Sequence, residues 1–181
     1  MHRILSRSSS TLSWQTSCRA LHRLAISLSL GLAMLAPPAF ALDFPYTVPL
    51  HSNASGTLTI STQLGSSTAE FLLDTGAGIV TIGSRLLDEL HRQGSIQPSH
   101  RMALRLANNR VQAVQVYRVE SLRVGGHCEL GPLDVAVLPG ESRNLLGLSA
   151  LNKTAPFAVD VRASTLLLSH CGAEKHLAGL N

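Results

Sequence analysis

The fold of this chain is restricted most by one apolar run that ends in a carboxylate and a tight turn, Phe-Leu-Leu-Asp-Thr-Gly-Ala at residues 71–77. Three large apolar residues in succession predict a strand with buried side chains, and the Thr-Gly pair after the aspartate predicts a sharp turn. The carboxylate of Asp74 would then lie at the tip of a loop that the strand supports from behind. The segment therefore predicts a carboxylate presented on a β scaffold.

The first 41 residues have the composition of a secretory leader. A basic start with four arginines and no acidic residue precedes the apolar run Leu24–Ala36, and Ala39-Phe40-Ala41 has the small-x-small form of a cleavage site. The apolar run is shorter than the about 20 residues that a membrane-spanning helix needs. We expect residues 1–41 to be cleaved as a signal peptide and the protein to be exported, periplasmic or secreted. An uncleaved leader that associates with the membrane is the alternative.

Removal of the leader changes the charge balance. All 11 acidic residues lie beyond it, whereas four of the 15 basic residues lie within it, so the rest of the chain carries no formal net charge. The charge of +4 on the whole chain therefore gives no reason to expect a nucleic-acid partner, and no basic stripe with interleaved aromatic residues is present.

Two cysteines, Cys128 and Cys171, remain after the leader. In an oxidising compartment such a pair predicts a disulfide. Each cysteine follows a histidine, at His127 and His170, so a zinc site is the alternative. Neighbouring residues on a strand point to opposite faces, which hinders a His and a Cys of one pair from reaching the same ion. We expect neither a metal nor a cofactor.

The rest of the chain has the pattern of short strands and turns. Gly56–Leu64 alternates apolar and polar side chains, and Thr68–Leu73 predicts the returning strand of a hairpin. Ser84 is the predicted N-cap of a short helix at residues 85–92, which Gly94 would end.

The second half continues in the same way. Arg101–Ala107 and Val111–Val119 predict two strands joined by a turn at Asn108-Asn109, because Asn tolerates the left-handed region of backbone conformation. Many short strands with one or two short helices predict an all-β fold, a small closed β-barrel, in residues 42–168. Residues 169–181 would form a tail. Further predicted strands are Leu133–Leu138, Phe157–Val161 and Thr165–Leu168.

A single carboxylate is a poor hydrolytic catalyst, but two that share a site are effective. Like charges a few ångströms apart cannot both ionise, so one carboxyl group keeps its proton. The ionised group takes a proton from water, while the protonated group hydrogen-bonds the scissile carbonyl oxygen. This chain contains no second Asp-Thr-Gly or Asp-Ser-Gly. A catalytic site therefore requires Asp74 of an identical chain across a two-fold axis.

These motifs resemble those of the retropepsin-like, single-domain aspartic proteases, most closely their exported bacterial relatives. In that family an apolar-apolar-Asp-Thr/Ser-Gly-Ala motif precedes a short β-branched strand and a helix, as at residues 71–92. A late apolar-apolar-Gly motif with a short helix is similar to residues 144–152. The resemblance covers residues 47–168 and implies the acid-protease β-barrel, a homodimer and peptide bonds as the substrate.

The resemblance also implies roles for individual residues. Asp74 would be the catalytic group. The tip Ala107-Asn108-Asn109 is similar to the hairpin flap that covers the substrate in the family, and Leu145-Leu146-Gly147 would form a second loop beneath the site. The catalytic loop would be supported by Thr75, Gly76 and Ala77.

Three positions depart from the family pattern. Gly78 stands where Ser, Thr or Asp is usual, Asn109 replaces a flap glycine, and Ala150 stands where a larger apolar residue is common. The leading hypothesis is an aspartic endopeptidase that favours mildly acidic pH, where the dyad holds one proton. The alternative is a domain of the same fold that binds peptide or serves as an envelope scaffold without cutting, because Gly78 or a monomeric state would leave the dyad unformed. Asp74 before Thr-Gly also suits an ordinary turn between strands.

Overall fold

The computed structural model describes residues 42–138 and 143–172. Within them the chain is mostly β-strand with two short helices, as the sequence predicts. The strands are β1 (Tyr46–Pro49), β2 (His51–Ser52), β3 (Leu58–Leu64), β4 (Ser67–Leu73), β5 (Val80–Ile82), β6 (Ile96–Arg105), β7 (Val111–Val119), β8 (Leu122–Val124), β9 (Cys128–Glu129), β10 (Leu133–Val137), β11 (Leu145–Leu146), β12 (Phe157–Asp160) and β13 (Thr165–Leu168). The helices are α1 (Ser84–Arg92) and α2 (Leu148–Leu151).

Most of the strands pair in one large sheet. Its order is β6-β7-β10-β5-β11-β4-β3-β8-β9, and β2 pairs with β3 off this path. The β5–β10 and β4–β11 pairs are parallel, whereas the other pairs are antiparallel. Within the described residues β6 and β9 are the two open ends of the sheet, so the predicted closure into a barrel is not confirmed.

The predicted hairpin of β3 and β4 is confirmed, and it leads the chain to Asp74. Ile60 on β3 pairs with Phe71 on β4, and both side chains are fully buried. Full burial of a large apolar side chain stabilises a protein by about 1.5–3 kcal/mol. The strand is therefore anchored in the core shortly before the carboxylate.

Helix α1 begins one position earlier than predicted. Gly83 is the N-cap, with an extended backbone at φ −80° and ψ 165°, so the prediction of Ser84 as N-cap is wrong. Glycine is among the residues preferred at this position, and Gly83 caps the helix without a side-chain hydrogen bond. Leu86 and Leu90 are buried on one face, and Gly94 follows the helix with φ +66°, as expected of the residue that ends it.

The long hairpin of β6 and β7 turns at Asn108-Asn109 as predicted, and Asn109 adopts the left-handed region with φ 65°. Strand β6 begins at Ile96, well before the predicted start at Arg101. Ile96 is buried, but residues 97–100 of the extension are exposed and include Pro98, which an edge strand tolerates because one row of its backbone groups needs no partner.

The two ends of the described domain pair with each other in a second, three-stranded sheet, β1-β13-β12. The predicted closing hairpin of β12 and β13 is confirmed, whereas the pairing of β1 with β13 was not predicted. Val48 and Leu166 from this sheet are fully buried in the main core. A disulfide between Cys128 and Cys171, with an S–S distance of 2.05 Å, links β9 to the segment after β13.

Two predicted segments lie partly or wholly outside the described residues. They are the signal peptide at residues 1–41 and the tail at residues 169–181, of which 173–181 are not described. In the part of the chain that is described, neither helix has the length and apolar character needed to cross a membrane.

Candidate active site

Asp74 follows directly after β4 and lies in a loop held by three hydrogen bonds. Its backbone N–H donates to the carbonyl oxygen of Leu146 at 3.2 Å, and its own carbonyl accepts from the N–H of Ala77 at 3.2 Å. Its side-chain Oδ1 accepts from the N–H of Gly76 at 2.9 Å. Asp74 is half-buried, and Thr75 and Gly76 are exposed. The loop therefore fixes the carboxylate while leaving it open to solvent.

The second predicted loop lies directly against the first because β11 is inserted between β4 and β5. Leu145 and Leu146 run parallel to Leu72 and Leu73, and Leu145 also pairs with Thr81 of β5. Residues 145–147 and 74–77 are distant in sequence, and this crossover brings them together.

Beyond β11 the two loops remain joined by hydrogen bonds. The N–H of Leu148 donates to the carbonyl of Ala77 at 2.8 Å, and the N–H of Ser149 donates to the carbonyl of Gly78 at 3.1 Å. The Ser149 hydroxyl oxygen also accepts from the N–H of Val80 at 3.0 Å. The start of α2 thus supports the loop that carries Asp74.

Replacing Gly147 with alanine is expected to destabilise the site and the fold. A Cβ atom there would lie 2.5 Å from the carbonyl oxygen of Ile79 and 2.7 Å from that of Ala77, so the backbone of one loop would have to move. We expect the free energy of unfolding to fall by about 2–3 kcal/mol, measured by urea denaturation. Gly78→Ala is the matched control, because a Cβ atom there would have no neighbour within 4 Å. Equal losses for both variants would contradict the close contact between the loops.

The predicted flap tip, residues 107–109, is exposed at the end of the β6–β7 hairpin. The N–H of Asn109 donates to the carbonyl of Leu106 at 2.9 Å, and Arg105 Nη1 donates to Asn109 Oδ1 at 2.8 Å. These bonds stabilise the turn from within the hairpin.

A pocket of about 660 Å³ lies where the Asp74 loop continues toward the flap hairpin. Gly78 and Ile79 line it from the loop, and Met102 and Leu104 line it from β6. We call this space the side pocket. Its other lining residues are Arg118, Pro132, Leu133, Asp134, Ser149 and Lys153.

The sequence profile of the protein family described as "gag-polyprotein putative aspartyl protease" matches residues 60–153, more than half of the chain. The matched segment contains the Asp74 loop, the flap hairpin and the second loop. The chain belongs to this aspartyl protease family. The resemblance to retropepsin-like aspartic proteases is thereby confirmed, and peptidase activity is supported at the level of the family.

Among solved structures, the crystal structure of a retropepsin-like aspartic protease from Rickettsia conorii is similar to this chain with a TM-score of 0.49. The two sequences are 19% identical, and the alignment covers 68% of this chain and 89% of that chain. A search of curated proteins finds no match.

Asn144 is a positioning residue of this aspartyl protease that the sequence reasoning did not single out. Its Oδ1 accepts from the N–H of Gly83 at 3.0 Å, and its Nδ2 donates to the carbonyl of Glu70 at 3.2 Å. Its backbone carbonyl accepts from the N–H of Leu72 at 2.9 Å. The sequence signal that could have identified Asn144 is an asparagine directly before the apolar run of β11. One amide side chain can both accept and donate a hydrogen bond, so it can join two segments of the chain.

The three departures from the family pattern each fit their surroundings. Gly78 faces open space, so the turn there requires no side chain for support. Asn109 adopts the positive φ that the hairpin needs, and Ala150 is fully buried in the main core.

The disulfide leaves the alternative of a zinc site without its two thiolate ligands, because Cys128 and Cys171 are bonded to each other. Across residues 42–138 and 143–172, no group of three or more His, Cys, Asp or Glu side chains is arranged to hold a metal ion.

Proposed function

We propose that this aspartyl protease is an endopeptidase that is active as a homodimer, in which Asp74 of each chain contributes one carboxylate to a shared site. The observation that supports this most is the placement of Asp74 on a rigid, solvent-facing loop that β11 and α2 hold from behind. Each chain has one such loop, so the second carboxylate comes from a second copy across a two-fold axis.

The chemistry follows from two carboxyl groups that share one proton. The ionised carboxylate takes a proton from a water molecule as its oxygen attacks the carbonyl carbon of the peptide bond, and the protonated carboxyl group donates a hydrogen bond to the carbonyl oxygen. The tetrahedral intermediate then collapses as the carboxyl group that took the water proton gives it to the leaving nitrogen and the C–N bond breaks, which restores the ionised carboxylate. The water proton and oxygen are both accounted for, without a metal or a covalent intermediate.

Backbone groups beside Asp74 suit an extended peptide. Neither Gly78 nor Ile79 donates its N–H to another described residue, so both donors are free to pair with substrate carbonyl groups. Strand-like pairing of this kind provides main-chain affinity, while side-chain pockets provide specificity. The flap tip at residues 107–109 would cover the peptide from the other side.

Export belongs to the same proposal. The leader at residues 1–41 would direct the chain to the periplasm or the outside of the cell, where an oxidising environment maintains the Cys128–Cys171 disulfide. Association with the membrane is expected only if the leader is retained. Closure of the sheet into the acid-protease barrel is also part of the proposal for the assembled enzyme.

Cleavage of a denatured protein by the wild-type and Asp74→Asn chains, between about pH 3 and 7, tests the proposal. We expect cleavage by the wild type alone. Equal cleavage by both chains would contradict the assignment of Asp74 as the catalytic group. No cleavage by either chain would favour the alternative of a peptide-binding or scaffold domain.

A further inference from the structure

The side pocket carries an imbalance of charge that the proposed catalytic chemistry does not use. Three charged side chains line it, from Arg118, Asp134 and Lys153. Arg118 Nη1 and Asp134 Oδ1 form an ion pair at 3.1 Å and so neutralise each other. Lys153 is half-buried and pairs with no carboxylate among the described residues. The pocket therefore has one uncompensated positive charge.

The rest of the lining is suited to the stem of a long side chain. Ile79, Met102, Leu104, Pro132 and Leu133 provide apolar surface. A volume of about 660 Å³ exceeds what one side chain needs, and Gly78 adds no side chain of its own where the pocket meets the Asp74 loop. A substrate side chain can therefore enter past Gly78, lay its methylene groups on apolar surface and present a polar end to Lys153.

The side pocket lies beside the path that a peptide substrate would take in the proposed dimer. It is bounded on one side by the residues that follow Asp74 in its loop and on the other by the flap strand β6. A peptide held between loop and flap would pass its mouth. Residues on either side of the scissile bond would meet one pocket each, because a two-fold dimer repeats the feature.

We propose that the side pocket selects an acidic side chain of the peptide substrate, glutamate in particular, through the ammonium group of Lys153. This inference rests on the proposed endopeptidase function and adds a substrate class to it. An exposed or half-buried ion pair gives a preference of about fivefold for Glu over Gln, and the preference falls as salt screens the charges.

Mapping of cleavage sites in a digest of denatured proteins is the first test. For the wild type we expect Glu to be enriched at one position on each side of the scissile bond, within a few residues of it, because the dimer presents the pocket twice. The enrichment should persist in Lys153→Arg and disappear in Lys153→Glu, which should favour Lys or Arg there instead. Gly78→Asp should also lose it, because a carboxylate would then occupy the open space at the pocket mouth.

Arg92→Glu is the matched control for the change in overall charge. Arg92 is exposed in the last turn of α1 and does not line the side pocket, so its substitution should leave the Glu enrichment intact. An enrichment that Arg92→Glu and Lys153→Glu reduce equally would overturn the assignment to Lys153. A digest by an active enzyme with no Glu enrichment would overturn it as well, while leaving the endopeptidase function in place.

A binding measurement separates this proposal from the catalytic one. An array of eight-residue peptides, in which each Glu peptide has a Gln twin, is probed with the Asp74→Asn chain and with the Asp74→Asn, Lys153→Glu double variant. Preference for the Glu twins by the first chain alone supports the pocket even if no cleavage is found. Equal binding of the twins by both chains contradicts it.

Discussion

Replacing Asp74 with asparagine is expected to reduce peptide cleavage by about a thousandfold or more, because it removes both proton-transfer groups from a homodimeric site at once. The fold should be retained. Asparagine is close in shape to aspartate, and its Oδ1 can accept the same hydrogen bond from the N–H of Gly76. Cleavage of a denatured protein and thermal unfolding of the same preparation measure the two effects separately.

Asp88→Asn is the matched control, since it makes the same chemical change at an exposed position on α1. It should leave both cleavage and thermal stability unchanged. Cleavage by the Asp74→Asn chain within a few-fold of the wild type would contradict the assignment of the catalytic group. A large loss in the Asp88→Asn chain would show that the assay reports something other than the site.

Reduction of the Cys128–Cys171 disulfide is expected to cost about 4 kcal/mol of unfolding free energy, given the entropy of closing a loop with a sequence separation of 43. The bond links β9, at one end of the large sheet, to the chain just after β13, so it joins the two sheets. Urea denaturation of the wild type with and without reductant measures the change while both sulfur atoms stay in place.

The Cys128→Ala, Cys171→Ala double variant is the control for side effects of the reductant. Its urea midpoint should be lower than that of the oxidised wild type and should not respond to reductant. Cys128 is fully buried, so this variant is also expected to lose a little packing energy relative to the reduced wild type. An unchanged midpoint in the reduced wild type would contradict a stabilising role for the bond.

Local patterns in the sequence were sufficient to predict the β3–β4 hairpin, the α1 helix and the turn at Asn108-Asn109. Each of these depends on periodicity or on residues close in sequence, such as the alternation that buries Ile60 and Leu64. The beginning of β6 was missed because its exposed residues around Pro98 show no alternation, and only its place at the sheet edge explains them.

Pairings between distant strands could not be predicted from local sequence patterns. The insertion of β11 between β4 and β5, and the pairing of β1 with β13, depend on contacts between segments far apart in the chain. The resemblance to retropepsin-like proteases linked the Asp74 loop to residues 145–147, but it did not single out Asn144, whose amide joins Glu70 to Gly83. The charge balance of the side pocket was equally hidden, since its residues come from five segments of the chain.

The central claim is that two chains share one catalytic site, and mixing wild-type with Asp74→Asn chains tests it most directly. The amount of wild type is held constant while the inactive chain is added, with time allowed for subunits to exchange. If each site needs Asp74 from both chains, activity should fall to about one-half at equal amounts and to about one-tenth at about ninefold excess of the inactive chain. Activity that stays constant throughout the titration would contradict a shared site.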